Sequence, residues 1–100
     1  MVKIPKSFQL TGHTYKVKLV KKIDSKDSCG EVDNGTKLIK LKKAQKDYTV
    51  EMVEESYFHE LIHSLLDEAE YPELSKDEKL VERLGRLLHQ AIKTSNYGKK

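Results

Sequence analysis

Residues Ser56 to Glu68, SYFHELIHSLLDE, place two histidines and a glutamate in a run that otherwise keeps the apolar period of an amphipathic helix. The period extends in both directions: Val50, Val53, Tyr57, Leu61, Leu65 and Ala69 recur at steps of three and four. This predicts one long helix from about Thr49 to Glu70, ended by Tyr71-Pro72. On a helical wheel the apolar stripe centres near Leu61 and Leu65, and His59 and His63 fall roughly 120–160° away from it. Four residues apart, the two imidazoles stand one above the other on a face outside the core, with Glu60 about 60° further round.

Downstream, SKDE at Ser75 to Glu78 has the form of a capping box, Ser75 as N-cap and Glu78 three residues later. It opens a second helical period of Leu80, Val81, Leu84, Leu87, Leu88, Ala91 and Ile92, in which Gly85 would permit a close approach to the first helix. The closing TSNYGKK has no period and reads as a mobile tail over 94–100, leaving one domain over 1–93.

Upstream, the period changes from helical to alternating. FQLTGHTYKVKLV turns at Thr11-Gly12 and sets Tyr15, Val17 and Leu19 against Lys16 and Lys18, the pattern of a hairpin with one buried face. A polar loop, KKIDSKDSCG, follows. In EVDNGTKLIKLKK, Asn34-Gly35 offers the positive φ of a tight turn between two further strands. The expected class is α+β, a small twisted antiparallel sheet of three or four strands packed against two C-terminal helices.

At 100 residues and 37% apolar, the chain has material for a single core. No apolar run has the length of a membrane span and the N-terminus lacks a signal-type apolar stretch, so a cytoplasmic location without membrane attachment is expected. The lone Cys29 excludes an internal disulfide and reads as a loop bystander. The net charge of +3 conceals a division: residues 1–50 carry twelve lysines against five acids, residues 51–100 seven basic against eleven acidic side chains. The basic half is open to nucleic acid or an acidic peptide, although lysines solvating the outside of a sheet need no partner.

His59, Glu60 and His63 form H-E-x-x-H on a helix, and the chemistry asks for each residue type. Neutral imidazoles are borderline ligands suited to Zn²⁺, and a carboxylate third ligand lowers the net charge while a fourth position stays open for water. The intervening glutamate reaches that water, accepts its proton and passes it to a leaving amine.

YFHELIHSLLDE followed by EKLVERLGRLLHQ resembles the small, phage-type zincin-like metallopeptidases related to the ImmA/IrrE group and, more distantly, the SprT-like and gluzincin enzymes. The likeness runs from IPKSFQLTGHTYKV through GEVDNGTKLIKL to the second helix. It implies a minimal zincin-like fold, a phage- or prophage-encoded zinc peptidase, and a peptide or protein substrate such as a repressor-type regulator. It also implies a third ligand on the following helix, where Glu82 has the gluzincin-type separation from His63. A strand bordering the cleft is implied too, by position Thr36 to Lys42, whose open edge would pair with an extended peptide.

Other polar residues invite roles around such a centre. Asp67, one turn beyond His63, is placed to accept a hydrogen bond from that histidine's outer nitrogen. His89, Arg86, Tyr71 and His13 are the residue types that stabilise a tetrahedral oxyanion, while His13 beside Gly12 is more simply a turn residue. A reading of a different class remains: a non-catalytic, zinc-containing regulatory or binding protein acting on a protein partner or nucleic acid.

Overall fold

A computed structural model describes residues 2–23 and 29–98. Part of the expected polar loop (24–28) and the last two residues of the tail lie outside the described residues. The order of elements is β1 (Ser7–Leu10), β2 (His13–Val20), β3 (Gly30–Asp33), β4 (Leu38–Lys42), α1 (Val50–Glu68), α2 (Pro72–Ser75) and α3 (Glu78–Lys93). The α+β arrangement is the expected one, a four-stranded sheet from the N-terminal half with the helices C-terminal to it.

The sheet is mixed rather than antiparallel. Its order is β1-β2-β4-β3, with β1 and β3 antiparallel to their neighbours and β4 parallel to β2, Val17 opposite Ile39 and Leu19 opposite Leu41. Composition accounts for the insertion of β4 at the centre, because Ile39 and Leu41 are completely buried and a central strand is where two such side chains find cover. The strand at Thr36 to Lys42 therefore has no open edge. Among the described residues the outer strands are β1 and β3, and β3 is the one that packs beside Glu60.

The Thr11-Gly12 turn forms as read, with φ of +48° and +83° at its two residues. The second turn differs. Asn34 to Lys37 connect β3 to β4, Asp33 Oδ1 accepts from the amides of Gly35 and Thr36, and the positive φ falls at Lys37 rather than at Asn34-Gly35. Leu19, expected inside, is exposed.

Thr49 caps α1, its side chain accepting from Met52 N at 3.2 Å. The helix lies between the sheet and α3, so its cover extends well beyond one stripe: Val53, Glu54, Tyr57, Phe58, Glu60, Ile62 and Ser64 are all buried. Leu65, expected at the stripe's centre, is exposed. Tyr15, Ile39, Leu41, Tyr48, Val53, Tyr57 and Phe58 make the core. Against α1, α3 presents Val81, Gly85 and His89. A Cβ at Gly85 would stand 3.3 Å from His59 N, so the missing side chain sets how closely α3 approaches the H-E-x-x-H turn. No helix among the described residues is long and apolar enough to cross a membrane.

Pro72 opens α2 and Ser75 closes it, so Ser75 is no N-cap. Asp77 takes that place, accepting from Leu80 N at 3.1 Å. A shorter-ranged carboxylate directly before the helix satisfies the orphan amide, and Glu78 is released from capping.

Candidate metal centre and cleft

The centre is built where α1 and the start of α3 face one another. His59 and His63 occupy successive turns of α1 with ring centroids 5.0 Å apart. One atom each of His59, His63 and Glu78 lie within 4.8 Å of one another, a set able to hold a metal ion. Glu78 Oε1 is 3.2 Å from His59 Nε2 and 3.4 Å from His63 Nε2.

The other nitrogen of each ring is turned away from this point. Ser75 Oγ donates to the His63 carbonyl oxygen at 3.4 Å and lies 3.1 Å from His63 Nδ1. With its proton committed to that carbonyl, the hydroxyl receives Nδ1–H, which leaves Nε2 with its lone pair towards Glu78. His59 Nδ1 is 3.4 Å from Glu82 Oε1, and Glu82 Oε2 accepts from Arg86 Nε at 2.8 Å. Two ring nitrogens and a carboxylate oxygen thus converge on one spot, with Glu78 Oε1 within hydrogen-bonding distance of His59 Nε2, an arrangement that a shared proton or a cation satisfies.

The third carboxylate is where the geometry departs from the sequence expectation. Glu82 meets the outer nitrogen of His59, whereas Glu78 meets both inner nitrogens. Spacing alone puts Glu78 in a capping box with Ser75, but Asp77 is the N-cap and Glu78 is left free of that role. Asp67 differs too: its Oδ2 accepts from Asn34 Nδ2 at 3.0 Å, and Ser75 holds the His63 nitrogen expected for it. Among short polar residues after the helix, nothing in the sequence marked Ser75 as the partner of His63, because the contact needs the turn at Pro72.

Glu60 is 7% exposed, packs over Gly30 of β3, and its side chain makes no hydrogen bond to another of the described residues. A Cβ at Gly30 would stand 3.3 Å from Glu60 Cγ, so the glycine makes room for this side chain. Burial raises the Glu60 pKa, the neighbouring histidines oppose the rise, and Glu78 and Glu31 add to it. Two clefts meet at Glu60. One of about 400 Å³ includes Cys29, Tyr48, Met52, Ser56, Glu82 and Arg86, and Cys29, read as a bystander, stands in its wall. The other, about 540 Å³, includes Glu31, Val32, Asp67, Pro72, Lys76 and Glu78.

Of the residues considered for an oxyanion, only Arg86 stands in a cleft with Glu60. His89 is buried, its Nε2 2.8 Å from Glu54 Oε1 and its ring stacked on Phe58. His13 Nδ1 is 3.0 Å from Glu68 Oε2 at the far end of α1, and Tyr71 is an exposed residue ahead of α2. Tyr48, which the sequence reading passed over, lines the first cleft, its hydroxyl 2.6 Å from Ser56 Oγ and its pKa pushed up to about 12 chiefly by burial. Among known proteins, no family model, curated protein or solved structure matches the chain.

Proposed function

We propose that the protein is a zinc-dependent peptidase in which His59, His63 and Glu78 hold the ion and Glu60 moves the proton. The reading rests on the convergence of His59 Nε2, His63 Nε2 and Glu78 Oε1 while the outer nitrogens face Glu82 and Ser75. Two imidazoles and one carboxylate suit a borderline divalent ion, and three protein ligands leave a coordination position for water or substrate. A bound Zn²⁺ supplies Lewis acidity towards a carbonyl oxygen and makes water acidic near neutral pH.

The chain's own residues do the rest. Glu60, nearly buried at the meeting of the two clefts, accepts a proton from the attacking water as the water oxygen bonds to the peptide carbon. It returns that proton to the amine nitrogen as the C–N bond breaks. The free edge of β3 aligns the peptide beside Glu60, and Arg86 offers a positive charge from the α3 side of the first cleft. Ser75 and Glu82 fix the two imidazoles.

The test compares zinc-loaded wild type with Glu60→Gln on a peptide library read by mass spectrometry. Cleavage by the wild type alone, at equal zinc content, is expected. A zinc-loaded wild type that cleaves no peptide would mark a non-catalytic metal protein, and a Glu60→Gln variant as active as wild type would remove Glu60 from the proton transfer.

A further inference from the structure

The antiparallel register of β3 fixes which of its backbone groups are free. Lys42 N donates to Cys29 O at 3.0 Å, and Glu31 and Asp33 lie opposite Lys40 and Leu38. Since paired and outward-facing residues alternate along such a strand, Gly30 and Val32 present their N–H and C=O to the open edge. A peptide added there runs past Glu60, which packs on Gly30, and places side chains in the clefts on either side.

The two clefts differ in charge. In the first, Glu55 and Glu82 are accompanied by Arg86, which bonds to Glu82, and the remaining wall includes Tyr48, Met52 and Cys29. In the second, Glu31 from β3 and Asp67 from α1 stand with Glu78, against Lys76 as its one cation among the described residues. Neither Glu31 nor Asp67 takes part in an ion pair among the described residues, and Asp67 is held by the Asn34 amide, a neutral donor that leaves its charge in place. Val32 and Pro72 give the same cleft an apolar wall against which the methylene stem of a long cationic side chain can lie. Glu60, 7% exposed, lines both clefts, so a side chain in the second is directly beside the reacting bond.

We infer that the substrate is a peptide bearing a lysine or arginine next to the cleaved bond, with that side chain seated between Glu31 and Asp67. The inference rests on the peptidase reading and names the substrate class of the same site. The strand edge supplies register without sequence preference, and the carboxylate pair supplies the preference. Because both carboxylates are partly exposed, the preference weakens as salt rises.

The experiment uses paired peptides, identical except for Lys, Arg, Gln or norleucine at the residue on either side of the cleaved bond. Zinc-loaded wild type reports kcat/KM, and zinc-loaded Glu60→Gln reports equilibrium binding of the same peptides. Lys and Arg peptides are expected to exceed the neutral ones about tenfold in both measurements at low salt. The ratio should fall towards one in Glu31→Gln/Asp67→Asn. Cleavage of all peptides with no basic preference would overturn the substrate class and leave the peptidase reading standing. Failure of any peptide to be bound or cleaved would overturn both, and a preference kept in Glu31→Gln/Asp67→Asn would overturn the assignment to this cleft.

Discussion

Ser75 Oγ lies 3.1 Å from His63 Nδ1 and 3.4 Å from the carbonyl oxygen of the same histidine, so one hydroxyl contacts both the ring and the backbone of that residue and, when it accepts from Nδ1–H, leaves Nε2 free to ligate. Replacing Ser75 by alanine removes the acceptor for Nδ1–H and frees the ring to turn. Zinc affinity is expected to fall about 10–100-fold, as for other losses of an outer partner, with the helices retained by circular dichroism. An unchanged affinity in chelator competition would show that His63 is held by packing alone.

The two glutamates of α3 separate by the nitrogen each one faces. Glu78→Ala removes the carboxylate shared by both inner nitrogens and is expected to weaken zinc more than Glu82→Ala, which removes only the partner of His59 Nδ1 and should cost about 10–100-fold. Isothermal titration of the two variants under one buffer decides it. The reverse order would return the third ligand to Glu82.

Much of this centre was legible in the sequence, and the remainder shows where sequence reasoning lacks information. His59, Glu60 and His63 follow from a fixed helical spacing, which is local and needs no tertiary contact. The choice between Glu78 and Glu82 depends on which residue caps α3, a competition between Ser75 and Asp77 that motif spacing alone does not resolve. The free edge was misplaced for a different reason. The resemblance implied an open edge at Thr36 to Lys42, but Ile39 and Leu41 are fully buried and that strand lies inside the sheet, with β3 outermost beside it. The helical wheel also assumed one buried stripe, whereas α1 is covered by both the sheet and α3.

His89 belongs to the interior. Its Nε2 is 2.8 Å from Glu54 Oε1, both side chains are buried, and the second oxygen of Glu54 accepts from Val2 N at 3.2 Å. His89→Ala leaves a buried carboxylate without its principal partner and is expected to destabilise the protein by about 3–5 kcal/mol in urea unfolding. A loss below about 1 kcal/mol would show that water reaches Glu54 and replaces the ring.

Glu68 ties the end of α1 to the first hairpin. Its carboxylate accepts from Thr11 Oγ1 and from Tyr15 Oη, both at 2.5 Å, with His13 Nδ1 at 3.0 Å and Lys37 Nζ at 3.5 Å. The bond from Thr11, then those from Tyr15 and His13, hold its pKa at about 2, below the ordinary 4.5. Because the folded value is the lower one, the stabilisation is full above pH 4.5 and is lost as pH falls towards 2. Glu68→Gln should therefore lower the thermal midpoint at pH 6 and flatten its decline between pH 4.5 and 2. A decline as steep as that of wild type would place the acid sensitivity on other carboxylates.

The most direct measurement is a crystal structure of the zinc-soaked protein, with anomalous data collected at the zinc edge. The expected result is one ion bonded to His59 Nε2, His63 Nε2 and a Glu78 oxygen at about 2.0–2.2 Å, with Glu60 near it but outside bonding distance. An ion bound through Glu82, an ion elsewhere on the chain, or no ion at these histidines at saturating zinc would contradict the account.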